Sequence, residues 1–407
     1  MTAPAKSQSP AVAAPRPIVR LRPGRQGRVL HGHPWVYSNE IEMDPATKAL
    51  ASGSIVRLER HNGGPIGTAM FHPHTLIAAR MLSREPTDQV DVAFLRDRVE
   101  RALALRTRIL AQPYYRLIHA EADGLPGLVV DRYGDVLALQ ANTAGIDRLL
   151  PMLLPVLQET LRPSAIALRN DSPARAVEGL DQDSRWTGGT HEGSVRVEEG
   201  GATFFADVLA GQKTGWFYDQ RDNRDFIASL SSGARVLDAY THTGGFAVRC
   251  ARSGASAVVA IDRSESALAL AARAATESGV AGRITFRRAE VFAELEALAA
   301  AKERFDVVIA DPPAFVKSRR ELESGQRGYR KLARLSVALT APRGILGIAS
   351  CSHNVSVEAF QEQVARGLAD AGRTGRIIRS AGAAADHPLH PMLPESVYLK
   401  MLVLALD

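Results

Sequence analysis

Apolar and polar positions alternate with a period close to two through residues 18–90, in short runs at 18–21, 54–59, 66–71 and 76–81 that read as strands. Gly/Pro/Asn punctuation such as Asn62-Gly63-Gly64-Pro65 separates them. Through 90–110 the apolar spacing lengthens to 3.6, which predicts a helix and sets a boundary. Strands at 128–130 and 136–140 then flank the turn Tyr133-Gly134-Asp135, and a helix near 146–161 and a strand at 165–168 complete a mixed α+β stretch to about residue 195. A second hairpin turns at Gly200-Gly201 between 195–197 and 203–205. After a helix at 220–229 the order becomes strand 235–238, helix 246–252, strand 257–262, helix 266–278, strand 284–287, helix 291–301, strand 305–310, with a further strand at 344–349. Strands alternating with helices of this length call for right-handed crossovers and a parallel sheet covered on both faces. The predicted class is α/β: a flexible Ala/Pro/Ser tail at 1–17, a β-rich unit at 18–90, a central α+β unit at 91–195 and a doubly wound, Rossmann-like unit at 196–407.

Composition narrows this picture. Of 407 residues 45% are hydrophobic and 23% charged, as in an ordinary globular protein. No apolar run approaches the ~20 residues of a membrane helix, and the N-terminus lacks the apolar core of a secretion signal. The expectation is a cytoplasmic protein without a membrane partner. Two cysteines, Cys250 and Cys351, exclude a disulfide framework, and no Cys/His cluster has zinc spacing, so no metal is expected.

The chain carries 50 basic and 44 acidic residues, a net charge of +6. Only 7 of the basic residues are Lys, so 43 are Arg, whose planar fork suits phosphate. Residues 1–90 hold 11 basic and 6 acidic residues, which places most of the excess at the front. No acid precedes Glu40, while Arg16, Arg20, Arg22, Arg25 and Arg28 crowd the entry to the first unit. Such a block is either a solvated arm or the electrostatic footprint of a phosphate-binding surface.

In doubly wound sheets ligands gather at the carboxyl ends of the strands. The first strand of the C-terminal unit runs out through Asp238-Ala239-Tyr240-Thr241-His242-Thr243-Gly244-Gly245-Phe246, a glycine turn without the G-x-G-x-x-G spacing of dinucleotide sites. An acid there would repel a pyrophosphate but tolerate a zwitterionic amino acid. The next strand ends at Asp262, placed to accept both hydroxyls of a ribose, and the third leads to Glu290, placed to accept from an adenine amino group. Each acid alone reads equally well as a helix cap. The three in order favour S-adenosylmethionine (SAM), a cationic amino acid with a diol and an adenine but no phosphate; a nicotinamide dehydrogenase is the rival.

The fourth strand ends in Asp311-Pro312-Pro313-Ala314-Phe315, a carboxylate on a rigid loop followed by an aromatic face for a flipped base. The fifth ends in Ser350-Cys351-Ser352-His353, which brings a thiol to the same edge. Cys250, inside a helix, reads as a small buried hydrophobe. Cys351 matches a chemical need: carbon 5 of a pyrimidine becomes nucleophilic once a thiolate adds at carbon 6. Asp311 is placed to stabilise that adduct at N3 of cytosine.

At this point the chain resembles the bacterial SAM-dependent cytosine-5 methyltransferases of 23S ribosomal RNA, which carry an N-terminal PUA domain, a central α+β domain and a C-terminal Rossmann-like methyltransferase. The resemblance runs from about Leu21 to Val403. It rests on His33-Pro34-Trp35-Val36-Tyr37-Ser38, Glu121-Ala122-Asp123-Gly124-Leu125-Pro126-Gly127, Lys213-Thr214-Gly215-Trp216-Phe217-Tyr218-Asp219-Gln220-Arg221, Thr243-Gly244-Gly245-Phe246, Asp311-Pro312-Pro313-Ala314-Phe315, Arg327-Gly328-Tyr329 and Ser350-Cys351-Ser352, with Asp386-His387-Pro388 and Tyr398-Leu399-Lys400 near the end. It implies Cys351 as nucleophile with Asp311 as its partner. It implies a SAM pocket drawn from Lys213, Thr214, Gly215, Asp219, Arg221, Asp238, Tyr240, Thr243, Gly244, Phe246, Asp262, Glu290 and Asp311. Ribosomal RNA would meet Arg22 and Arg25 in the PUA unit, and Pro312, Phe315, Arg327 and Tyr329 beside the thiol, with Arg327 and Tyr329 in an RNA-facing loop. Where related RNA cytosine-5 enzymes often carry a second cysteine this chain has Ala314, so the base that removes the carbon 5 proton is unassigned; a homodimer is left open. The competing readings are methylation of a purine nitrogen or of another structured RNA, with Cys351 structural, and a non-catalytic RNA-binding assembly factor.

Overall fold

The computed structural model describes residues 16–211 and 214–407. The tail expected at 1–17 therefore lies outside the described residues except for its last two, and Lys213 lies outside them too.

The front of the chain forms a five-stranded sheet in the order Ile18–Arg20, Ser54–Glu59, Pro65–Phe71, Ile77–Ser83, Trp35–Tyr37. Its first pair is parallel and the others antiparallel. The strand Trp35–Tyr37 is too short to show alternation in the sequence. The apolar residues Val19, Leu21, Val36, Ile41, Val56, Leu58 and Phe71 make a small core of their own.

A second five-stranded sheet follows in the order Asp183–Thr187, Ala165–Asn170, Val136–Ala141, Leu128–Tyr133, Tyr114–His119. Two helices, Val92–Ile109 and Ala144–Leu161, share the core of this sheet. Their starts are set by side-chain caps: Asp91 accepts from the Phe94 amide at 2.9 Å, and Thr143 from the Ile146 amide at 3.4 Å. The first two sheets are tied by polar bonds. The Trp35 indole donates to Glu121 Oε1 at 2.7 Å, and Arg80 donates to the same oxygen at 3.0 Å.

The hairpin Val195–Glu199 and Ala202–Ala206 turns on Gly200 and Gly201, both at positive φ, the geometry of the two-residue turn that matches strand twist. It is pinned to the C-terminal unit by Arg224, whose guanidinium donates to both oxygens of buried Glu199 at 2.6 and 2.8 Å.

The C-terminal sheet has seven strands: β1 (Arg235–Ala239), β2 (Ala257–Asp262), β3 (Ile284–Arg288), β4 (Phe305–Ala310), β5 (Thr340–Ser350), β6 (Gly375–Ala381) and β7 (Lys400–Leu406). Their order is β3-β2-β1-β4-β5-β7-β6. Strands β1 to β5 are parallel, but β7 runs antiparallel to both neighbours, so the sheet is mixed rather than wholly parallel as the pattern suggested. The cause is a hairpin-like return from β6 to β7 in place of a helical crossover. Helices α1 (Gly245–Arg252), α2 (Glu265–Glu277), α3 (Val291–Ala300), α4 (Leu322–Leu339) and α5 (Val357–Asp370) fill the other connections. One face of the sheet packs around Val236, Val258, Val307 and Ala349, the other around Leu237, Ile261, Val308 and Ile348. This is the period of two read on both faces of buried strands. Among the described residues no helix is long and apolar enough to cross a membrane.

Candidate active site

The carboxyl ends of β1 to β5 meet along one edge, and the side chains there are acidic. Asp238, on β1, is fully buried; its Oδ2 accepts from the Thr241 hydroxyl at 2.6 Å and the Ala247 amide at 2.9 Å. Oδ1 is buried and has no hydrogen-bond partner in the protein. Burial pushes this carboxyl up to about 7, with the neighbouring Asp311 and Asp262 adding to the shift and the bonds from Thr241 and Ala247 opposing it. The chain then turns through Tyr240, His242 and Gly244, all at positive φ, before α1 begins. A side chain at Gly244 would set its Cβ 3.0 Å from that of Ala271 in α2, so glycine allows both the φ and the close approach. Thr243 and Phe246 are buried, Phe246 in the apolar core.

Asp262, half-buried at the end of β2, spans the same turn: Oδ2 accepts from the His242 amide and Oδ1 from the Ser264 amide, both at 2.9 Å. Glu290 is exposed at the end of β3 and caps α3 through the Ala293 amide at 3.1 Å. Burial raises the Tyr240 phenol, and the charges of Glu290 and Asp262 raise it further, which puts all three groups in one neighbourhood. The capping role is thus real for each acid. It leaves lone pairs on every carboxylate, and the buried Asp238 Oδ1 is among them.

Asp311 follows β4 and is held by Gln220, whose Nε2 donates to Oδ2 at 2.9 Å; Gln220 is in turn fixed by Asn223 at 2.7 Å. The Cys351 thiol, half-buried after β5, lies 3.8 Å from the Pro312 carbonyl oxygen. The loop between is braced from below. The Tyr329 hydroxyl is 2.8 Å from Ser352 Oγ, accepts from Ser350 Oγ at 2.9 Å, and faces the Phe315 amide at 3.5 Å. Phe315 sits between the rings of Phe292 and Tyr329, at 5.9 and 4.8 Å between centroids. Cys250, by contrast, is sealed in the core and its thiol is pushed up to about 12 by burial.

A family model described as a PUA-like domain matches residues 19–84, and one described as an S-adenosylmethionine-dependent methyltransferase matches residues 176–374. The ribosomal RNA large subunit methyltransferase I of Cronobacter sakazakii is 34% identical over 385 residues, covering 93% of this chain and 97% of the relative. That of Pseudoalteromonas atlantica is 33% identical over 389 residues, covering 95% and 98%. The chain belongs to the ribosomal RNA large subunit methyltransferase I family. A solved chain from Streptococcus mutans, assigned as a SAM-dependent methyltransferase, has the same fold with a TM-score of 0.80 at 18% identity, over 96% of this chain and 100% of that one. A second, assigned as a methyltransferase and complexed with SAH, superposes with a TM-score of 0.82 at 18% identity, over 96% and 100%.

As a SAM-dependent methyltransferase, the chain needs an acceptor for an ammonium, and the unpaired Asp238 Oδ1 fits that requirement. Other positions expected around the cofactor also have partners within the protein. The Thr214 hydroxyl donates to buried Asp131 of the central sheet, and its carbonyl accepts from Tyr133 at 2.8 Å. Arg221 donates to the Tyr114 carbonyl and lies 3.8 Å from Asp386. Asp219 is buried and accepts from the Tyr398 hydroxyl. Gly215, at φ 102°, has room for no side chain, since a Cβ would fall 2.7 Å from the Asp207 carbonyl oxygen. The segment fastens the methyltransferase unit to the central sheet, and through Gln220 it also reaches Asp311.

On the RNA side, Arg327 and Tyr329 lie in helix α4 rather than a loop. Arg327 is exposed, 3.8 Å from Glu323, whereas Tyr329 has no exposed surface and supports the Asp311 loop from within. Pro312 is buried too, and offers its carbonyl rather than its ring. Arg22 and Arg25 are exposed on the PUA-like domain, with Arg22 Nε donating to the Ile41 carbonyl at 3.0 Å. The structure also adds Asn223, Tyr398 and Lys400 to the neighbourhood of the reacting edge. The sequence carried Tyr398 and Lys400 only within the segment Tyr398-Leu399-Lys400 that supports the resemblance. Among the described residues no group of three or more His, Cys, Asp or Glu side chains is arranged to hold a metal ion.

Proposed function

We propose that this methyltransferase modifies carbon 5 of a cytosine in 23S ribosomal RNA through a covalent adduct with Cys351, in the cytoplasm. The approach of the Cys351 thiol to the Pro312 carbonyl oxygen supports the reading, because it brings the thiol to the loop that begins at Asp311, where β4 and β5 end. The substrate class is supported by the names of the relatives and by the PUA-like domain with its exposed Arg22 and Arg25.

SAM, when bound, supplies an electrophilic methyl group on a sulfonium. The chain's residues do the rest. The Cys351 thiolate adds to carbon 6 of the cytosine, forming a C–S bond and moving the ring electrons toward carbon 5 and N3. Asp311, steadied by Gln220, hydrogen-bonds N3 and holds the proton that keeps the adduct neutral there. Carbon 5 then takes the methyl group. Water takes the carbon 5 proton as the C5–H electrons restore the double bond and the C–S bond breaks, its electron pair leaving with sulfur to free the thiolate. Phe315, held by Phe292 and Tyr329, lines the loop that follows Asp311, and Arg221 and Thr214 fasten the methyltransferase unit to the central sheet.

Cys351→Ala tests this directly. Transfer should fall by more than about a thousandfold, while SAM binding by calorimetry stays near wild type. RNA carrying 5-fluorocytosine should trap wild-type protein, and not the variant, as a complex that survives denaturing electrophoresis. Transfer by Cys351→Ala at the wild-type rate would overturn the covalent route, and a methylated purine in nucleoside mass analysis would overturn the target.

A further inference from the structure

Lys400 opens β7 directly opposite Ser350, the residue before Cys351. It is 3% exposed, and its ammonium donates to the carbonyl oxygens of Ser352 at 2.6 Å and Val355 at 2.8 Å. Both carbonyls belong to the turn that follows Cys351, so the charge sits beneath the segment that carries the thiol. A lysine ahead of six apolar residues loses much hydration on burial, which is costly unless its charge is used.

We propose that Lys400 is a positioning residue: its ammonium fixes the turn after Cys351 and favours the thiolate form of that cysteine. The inference rests on Cys351 being the nucleophile, but it concerns the titration of the thiol, which can be read without any methyl transfer. Burial pushes Lys400 down to about 8, and the charge of Cys351 is what opposes that shift. The other described titratable groups around the thiol are a carboxyl, two phenols and an imidazole. Asp311 precedes the Pro312 carbonyl; Tyr329 of α4 bonds Ser350 and Ser352, and its phenol is raised by burial and further by Cys351. His353 stacks on Tyr398 at 5.3 Å, and Tyr398 donates to Asp219. A cation beside a thiol lowers its proton affinity, and a carboxylate or phenolate would do the reverse.

The experiment is alkylation of Cys351 in the full-length protein with iodoacetamide from about pH 6 to about pH 10, with the modified peptide identified by mass spectrometry so that the sealed Cys250 does not contribute. The wild-type midpoint should fall at least about one unit below the ordinary thiol value of about 8.5. Lys400→Met, which keeps the length of the side chain but not the charge, should raise it by about one unit or more and slow alkylation roughly tenfold near neutrality. Lys400→Arg should retain the low midpoint. In methyl transfer the Met variant should lose kcat near neutral pH with little change in KM for RNA, and recover part of the loss in more alkaline buffer. A wild-type midpoint at or above the ordinary value would overturn the proposal even if no variant folds. An unchanged midpoint in a Lys400→Met protein that still binds SAM would overturn it as well, as would Lys400→Arg behaving like Met. Transfer by Cys351→Ala would sink the nucleophile reading while leaving the titration result intact, so the two failures are distinguishable.

Discussion

Replacing Gly325 with Ala sets two well-measured effects against each other. Gly325 lies in the first turn of α4, and in an open helix the exchange would stabilise by about 0.8–1.0 kcal/mol. Here the added Cβ would fall 2.2 Å from Val316 Cγ2 and 2.7 Å from the Phe315 carbonyl oxygen. Forcing a methyl group into a packed site costs about 1–3 kcal/mol, and the upper part of that range applies because one neighbour is backbone and cannot swing aside. The balance is a net loss of about 1–2 kcal/mol, or a fall in Tm of about 2–8 °C for a unit of this size. The displaced segment also carries Asp311 and the Pro312 carbonyl against which Cys351 rests, so single-turnover methyl transfer should slow by more than about tenfold. Gly282→Ala, at a position with open space around it, is the control and should change neither quantity. A Gly325→Ala protein that melts at or above the wild-type temperature with transfer intact would refute the packing account of why the first turn of α4 carries a glycine.

Three further outcomes follow from charges already described. Asp238 is raised by burial, with Asp311 and Asp262 adding, so the folded state holds its proton to about pH 7 while the unfolded state releases it near 3.8. Stability of the ligand-free protein should therefore fall as pH rises through that window and level off above it, and Asp238→Asn should remove the slope; identical pH–stability curves would refute the assignment. Binding of the SAM ammonium at Asp238 should also release up to about one proton below neutrality, measured by calorimetry in buffers of differing ionisation enthalpy. Arg22→Ala with Arg25→Ala should weaken binding to structured rRNA fragments uniformly and make the slope of log affinity against log salt shallower by about one for each phosphate no longer neutralised; an unchanged slope would remove these arginines from the RNA surface.

How much of this was legible beforehand depends on whether a signal was local. The strand-and-helix alternation from Arg235 to Ala310 appears in the structure because buried parallel strands and amphipathic helices write their period into consecutive residues. The same holds for the acids at Asp238, Asp262 and Glu290, which fall at strand ends whatever the rest of the chain does. The loop that the resemblance implied at Arg327-Gly328-Tyr329 is a helix: Gly325 and Gly328 let Val316 and Phe315 press against it, and the stripe Gly325, Tyr329, Leu332, Ser336 faces inward at helical spacing. Thr214 and Arg221 belong to a motif whose residues serve two neighbours at once. The sequence marks the segment, but whether each side chain turns toward the reacting edge or toward Asp131 and Tyr114 is settled only when the central sheet docks. Lys400 is the sharpest case. Forty-nine positions separate it from Cys351, and what joins them is the antiparallel return of β7, a topological fact with no local signature. The segment Tyr398-Leu399-Lys400 marks the residue in the sequence without giving it a role; only the register opposite Ser350 brings its ammonium under the turn that follows Cys351.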